Sequence, residues 1–347
     1  MSSTIFNRIL LVSTPGAAAS SLTKILNLPN QPTIVTNGEG SYFATSAFVK
    51  ALNSRLIKIP VSQWTEVEQE AIQATYQTDF DALEAWSLLA RARRKTLFAT
   101  VHPFWLENPA FVSRRGPNGS VTRNDPDMDM DLWRSFHVNL PLDYYNRPNN
   151  NNNNNNNTPV SPLSFSPHNA TVFADEYLRT WRTVFVIRHP VQTFPRFFRA
   201  LRALNKRHAF GTEDVLQHLL LAYMNMYRVR MLYEQSLLAH PADGHTPPII
   251  LDASDIVFHT EIVVVKLCHE LGLDGNAINY EWAFRLRENE MREAAPRNTQ
   301  PVSLQALLAS LAGGWTTEFG ADVAALLKRF ILDSVGDFQY LWDRRLK

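Results

Sequence analysis

Cysteine is almost absent from this chain, and the shortage rules out two whole classes of small-protein architecture. The one cysteine, Cys268, can form neither an intrachain disulfide nor a cysteine-rich zinc module. Its neighbours Leu267 and Leu271 mark it as a core thiol rather than a nucleophile. An excess of either charge is also missing. A net charge of +1 over 347 residues exerts no long-range pull on nucleic acid or an anionic membrane, so any anion site has to be local. Long apolar runs are lacking too: the stretches at 216–226 and 262–267 are short or broken by polar residues, and no run suits a membrane span or a signal peptide. The reading is therefore a cytoplasmic protein without a membrane span, a nucleic-acid partner or a metal. No lysine follows a glycine-rich loop, which argues against ATP or GTP hydrolysis.

What the chain does have is apolar strands that end at chemically useful residues. Thr183-Val184-Phe185-Val186-Ile187 runs straight into Arg188-His189-Pro190 and then a basic helix, the pattern of a buried parallel strand presenting a guanidinium at its carboxyl edge. Ile9-Leu10-Leu11-Val12 likewise runs into Ser13-Thr14-Pro15-Gly16-Ala17-Ala18-Ala19-Ser20-Ser21 and a helix, a strand, tight loop and helix start that offer backbone amides to an anion. A third apolar strand at 96–101 ends at His102-Pro103.

Between these strands the spacing predicts helices at about 20–28, 65–95, 191–206, 213–238, 259–271, 303–312 and 323–335, with a further strand at 248–252. Strands alternating with helices give an α/β fold with a mostly parallel central sheet covered on both faces. With 45% hydrophobic residues the whole chain, 1–347, can form a single domain. From about 113 to 168 the composition turns to Pro, Gly, Asn and Asp and includes the tract Asn149 to Asn157, so this stretch is expected to be a disordered insertion. Gly313-Gly314 reads as a helix C-cap.

The strand and loop up to Leu22, the Arg188-His189-Pro190 strand and helix, and Leu251-Asp252-Ala253-Ser254-Asp255-Ile256 followed by Leu267 to Leu273 together resemble the sulfotransferase family, a branch of the P-loop NTPase-like fold. The segment Asn169 to Arg182 looks like a group of fungal sulfotransferase-like proteins. The resemblance implies 3′-phosphoadenosine 5′-phosphosulfate (PAPS) as co-substrate and a hydroxyl of a hydrophobic small molecule as acceptor, with a setting in secondary metabolism. It also implies a phosphate loop at Pro15, Gly16, Ala17, Ala18, Ala19, Ser20 and Ser21, a 3′-phosphate arginine at Arg188 and a base at His102. The family loop reads Thr-Tyr-Pro-Lys-Ser-Gly-Thr-Thr. Laid on this chain, its lysine falls on Gly16 and two of its hydroxyl residues on Ala17 and Ala19, a degenerate version of the loop. The family serine eight positions beyond the arginine is Arg196. Losing one preorganised donor of the lysine's kind costs about 3 kcal/mol of transition-state stabilisation.

Three functions stay open at this point: a PAPS-dependent sulfotransferase, a repurposed PAPS-independent tailoring enzyme using His102 for acid–base chemistry, and a noncatalytic binding protein. All of them require the strand ends at Ser13, His102 and Arg188 to share one cleft. The basic residues Arg196, Arg199, Arg202, Lys206 and Arg207 form either a solvated helix face or additional anion contacts. His189 is read as a packing residue or a phosphate-side group. Oligomeric state is not legible in the sequence.

Overall fold

Short β-branched and aromatic runs build the sheet, because a strand covered on both faces needs apolar side chains on both. In the computed structural model these are β1 (Arg8–Ser13), β2 (Ile34–Val35), β3 (Thr96–Val101), β4 (Arg182–Ile187) and β5 (Ile249–Asp252). Every pairing is parallel and the order is β2-β3-β1-β4-β5, so β1 lies in the middle between the two other strands with chemical tips. The structure describes residues 8–37, 42–56, 59–112, 129–145, 163–166, 169–208, 226–239, 247–293 and 304–347.

The principal helices among these residues are α1 (Ala19–Ile25), α2 (Ser46–Asn53), α3 (Glu66–Ala92), α4 (Pro190–His208), α5 (Met226–Ala239), α6 (Ala253–Phe258), α7 (Thr260–Leu271), α8 (Tyr280–Glu293), α9 (Leu304–Phe319) and α10 (Ala321–Trp342). The long α3 starts where its sequence says it should: the Thr65 side chain accepts from the Glu68 amide while the Glu68 carboxylate accepts from the Thr65 amide.

Alternation along the strands sorts the core into two layers. Leu10 and Val12 of β1, Ala99 and Val101 of β3 and Phe185 and Ile187 of β4 face one side, against α3, α5 and the end of α10. Ile9, Leu11, Phe98, Val184 and Val186 face the other, against α1, α6 and α7. Cys268 belongs to this second layer, where burial raises its thiol to a pKa of about 11. A satellite cluster joins Phe194 and Phe198 of α4 to α9 and α10.

Two expectations are corrected. Residues 129–145 are not an unstructured insertion: Trp133, Phe136, Val138, Leu140 and Tyr144 are buried, with Phe136 packed edge-on against Trp64. The asparagine tract lies outside the described residues, as do 113–128. Gly313 and Gly314 do not cap a helix but sit inside α9, where Trp315 turns inward against the satellite cluster. Of the helix expected at 213–238, the described part is Met226–Ala239.

Candidate functional site

Parallel pairing sets the site, because it brings the carboxyl ends of all five strands to one edge of the sheet. Val12 of β1 is level with Val101 of β3, and Ser13 is level with Val186 of β4. His102 and Arg188 therefore follow the neighbours of β1 immediately past the sheet, one on each flank of the loop at 14–18. Because β1 lies between β3 and β4, these two tips are two strand spacings apart, about 10 Å. The three strand ends emerge on the same edge of the sheet.

The loop itself is tight. Its Ala17 amide donates to the Thr14 carbonyl at 3.1 Å, and the turn is completed by left-handed backbone at Gly16 (φ 82°) and Ala18 (φ 68°). An alanine in that region costs about 1–2 kcal/mol, so Ala18 holds strain next to the site. Ala17 and Ala19 bury their methyl groups in the core layer under α1, whereas Gly16 and Ser20 are exposed and Pro15, Ala18 and Ser21 half-buried. At Gly16 the left-handed backbone also disfavours any side chain, the lysine of the related loop included. A Cβ there would touch Thr193 at 3.5 Å.

His102 caps the short helical turn Pro103–Leu106 and is 8% exposed. Its Nδ1 lies 2.5 Å from the Ser13 carbonyl oxygen, a partner that can only accept. Nδ1 therefore carries the proton and Nε2 keeps the lone pair. The ring packs edge-on against Trp105, centroids 4.4 Å apart, and tilted against Tyr42 at 5.7 Å. Burial pushes its pKa down to about 4, against the opposing effect of the hydrogen bond to Ser13. The imidazole is thus neutral and oriented throughout the physiological range.

On the other flank Arg188 is 9% exposed and fully engaged. Its Nη1 and Nη2 donate to the two oxygens of Glu290 at 3.2 and 2.5 Å, and its Nε donates to Gln192 Oε1 at 3.1 Å. Arg196, eight residues further on in α4, donates to the same Glu290 Oε1 at 2.5 Å. Burial would raise the Glu290 carboxyl, but hydrogen bonds from Arg188 and Arg196 outweigh it and hold the group below the usual carboxylate range. The sequence brought Arg188 and Arg196 into consideration; Glu290, which joins them, it did not single out.

Two further arginines of the basic helix bridge to α9. Arg199 makes a two-pronged pair with Glu318 of α9 at 2.6 and 2.7 Å, and Arg202 donates to the Glu318 carbonyl. Neither a bare solvated face nor an extra set of ligand contacts describes these two arginines. His189 packs against Phe338, with its Nδ1 accepting from the Val191 amide, so its place is structural.

Beyond His102 a groove of about 780 Å³ runs along the edge strand β2. Its walls include Ser20, Tyr42, Trp86 and Trp282, with Lys24, Arg93 and Lys95 along the rim. Tyr42 connects the two places, lining the groove while touching the His102 ring. Among the described residues no cluster of three or more His, Cys, Asp or Glu is arranged to hold a metal, and no helix is long and apolar enough to cross a membrane.

Two curated fungal proteins match over nearly their whole length. Sulfotransferase ppzF of Metarhizium majus (strain ARSEF 297) is 25% identical, the alignment covering 98% of this chain and 97% of that protein. Sulfotransferase ppzF of Metarhizium rileyi (strain RCEF 4871) is also 25% identical, with 98% and 96% covered. The chain is sulfotransferase-like. No family model matches it. Among solved structures, the sulfotransferase domain of the Synechococcus PCC 7002 olefin synthase aligns over 98% of this chain and 96% of that one, at 11% identity and a TM-score of 0.33, too loose to bear on the fold.

Proposed function

We propose that this sulfotransferase-like chain transfers a sulfuryl group to a hydroxyl of a hydrophobic small molecule, in secondary metabolism, with PAPS as co-substrate. The observation that carries the reading is the oriented imidazole of His102, neutral and hydrogen-bonded through Nδ1 to Ser13, beside the loop that follows β1. His102 Nε2 takes the acceptor's proton as the acceptor oxygen forms its bond to sulfur and the bond from sulfur to the donor's phosphate oxygen breaks. The groove lined by Tyr42, Trp86 and Trp282 has the volume and aromatic lining for the acceptor. PAPS, when bound, supplies the sulfuryl group and a stable phosphate leaving group.

The residues fit that donor in part. Loop amides between Gly16 and Ser21 and the cations of Arg188 and Arg196 would hold its phosphates, but no lysine stands at position 16, and both arginines already serve Glu290. That occupancy favours a second reading, in which the inherited site performs acid–base chemistry through His102 on a small molecule without PAPS.

Transfer from radiolabelled PAPS to a panel of phenols and alcohols separates the two. Label transfer that falls about 10²- to 10⁴-fold in His102→Ala, with binding of adenosine 3′,5′-bisphosphate unchanged, supports the first reading. No transfer and no binding by calorimetry would reject it.

A further inference from the structure

The seat formed by Arg188 and Arg196 has the construction of an oxyanion site: two guanidinium groups converge on a pair of oxygens at the carboxyl edge of a parallel sheet, where such folds place their ligands. The oxygens it holds belong to the chain itself. Glu290 is in the last turn of α8, is 9% exposed, and receives three guanidinium hydrogen bonds. Being tethered, this carboxylate is present at a high effective concentration and competes with any anion arriving from solution. It also cancels one of the two positive charges that would attract such an anion. For a ligand phosphate to enter, Glu290 has to lose all three contacts, and the gain from the new contacts is offset by those lost.

We propose that Glu290 is a specificity-determining residue, which fills the two-arginine seat as a built-in anion so that a phosphate carried by the ligand at this position adds little to binding. The inference rests on the reading that a phosphorylated small molecule binds at the strand tips. It specifies that the seat beside β4 does not select such a ligand by its phosphate, and that discrimination is left to the loop and the groove.

Calorimetric titration of the full-length chain and of Glu290→Gln with adenosine 3′,5′-bisphosphate, adenosine 5′-monophosphate and inorganic phosphate tests this. Wild type is expected to bind the two nucleotides within about threefold of each other, because the seat ignores the additional phosphate. Glu290→Gln is expected to bind the bisphosphate at least tenfold more tightly than wild type with the monophosphate unchanged, and Arg188→Ala in that background to abolish the gain. A tenfold preference for the bisphosphate in wild type, or no gain in a folded Glu290→Gln, would overturn the proposal while leaving sulfuryl transfer intact. If neither protein binds a nucleotide, the PAPS reading fails, and inorganic phosphate decides about Glu290: tighter binding in the variant supports its role and equal binding refutes it. Should Glu290→Gln fail to fold, Glu290→Asp is expected to bind the bisphosphate more tightly than wild type, since its shorter side chain reaches the arginines less well; unchanged affinity there counts against the proposal.

Discussion

The two flanks of β1 solve opposite electrostatic problems. On the β3 flank one imidazole, His102, is kept uncharged by burial among Tyr42 and Trp105 and is aimed by a carbonyl. On the β4 flank three charged groups meet, with Arg188 and Arg196 both paired to Glu290 and holding its carboxyl below the usual carboxylate range. A neutral base is compatible with a dry apolar surround, whereas a buried guanidinium is tolerated only with a carboxylate or another acceptor against it. The difference shows how one sheet edge can carry both a weakly basic nitrogen and an anion seat without either disturbing the other: β1 and its loop stand between them.

The largest expected effect breaks the charged flank. Arg188→Ala leaves Glu290 largely buried with Arg196 as its remaining partner and should lower stability by about 3 kcal/mol, while the double variant Arg188→Ala, Glu290→Ala should lose clearly less. Denaturant melts of the four proteins in that cycle measure it, and a double variant that loses the sum of the two single losses would mean that the pair is not coupled.

Close behind is the effect of pH on the neutral flank. The folded-state pKa of His102 is lowered to about 4 from an ordinary 6.5, so between those values the unfolded chain binds the additional proton. The stabilisation is fully present above pH 6.5 and is lost as the pH falls towards 4, by about 3 kcal/mol in all. His102→Phe should flatten this part of the stability profile. The acid limb of any reaction that uses Nε2 should correspondingly lie below pH 5, and a rate that halves near pH 6.5 would contradict the depressed pKa.

The smallest effect sharpens the contrast from the middle. Ala18→Gly relieves left-handed backbone in the loop and should raise stability by about 0.5–1 kcal/mol after the entropy that glycine adds to the unfolded chain. A fall in thermal melting would show that the loop carries no strain at this position.

The neutral flank was far more legible in the sequence than the charged one. A short unbroken apolar run that stops at a histidine or an arginine announces both a strand and its tip, so β1, β3, β4, His102 and Arg188 could all be placed in advance. Glu290 could not, because it lies 102 residues beyond Arg188 on a helix that also carries Glu281, Glu288 and Glu293, with nothing local to distinguish one acid from the rest. The partner of His102 escaped for a different reason: it is a backbone carbonyl, which every residue owns. The segment 129–145 was misread because its polar surroundings hid Trp133, Phe136, Val138 and Leu140, whose spacing follows neither a helix nor a strand over its length. The left-handed backbone at Gly16 and Ala18 depends on how the turn closes rather than on residue type alone.

The anchoring of His102 on the Ser13 carbonyl has a consequence for how such a site drifts. Substitutions at position 13 alter side chains and leave the oxygen in place, so the imidazole keeps its tautomer through any point mutation there that preserves the strand. The seat across β1 is written in side chains alone, and a single codon change at position 188 or 290 rewrites it. Over evolutionary time the base should therefore outlast the anion pocket, and lineages that abandon one donor can keep the chemistry of proton removal.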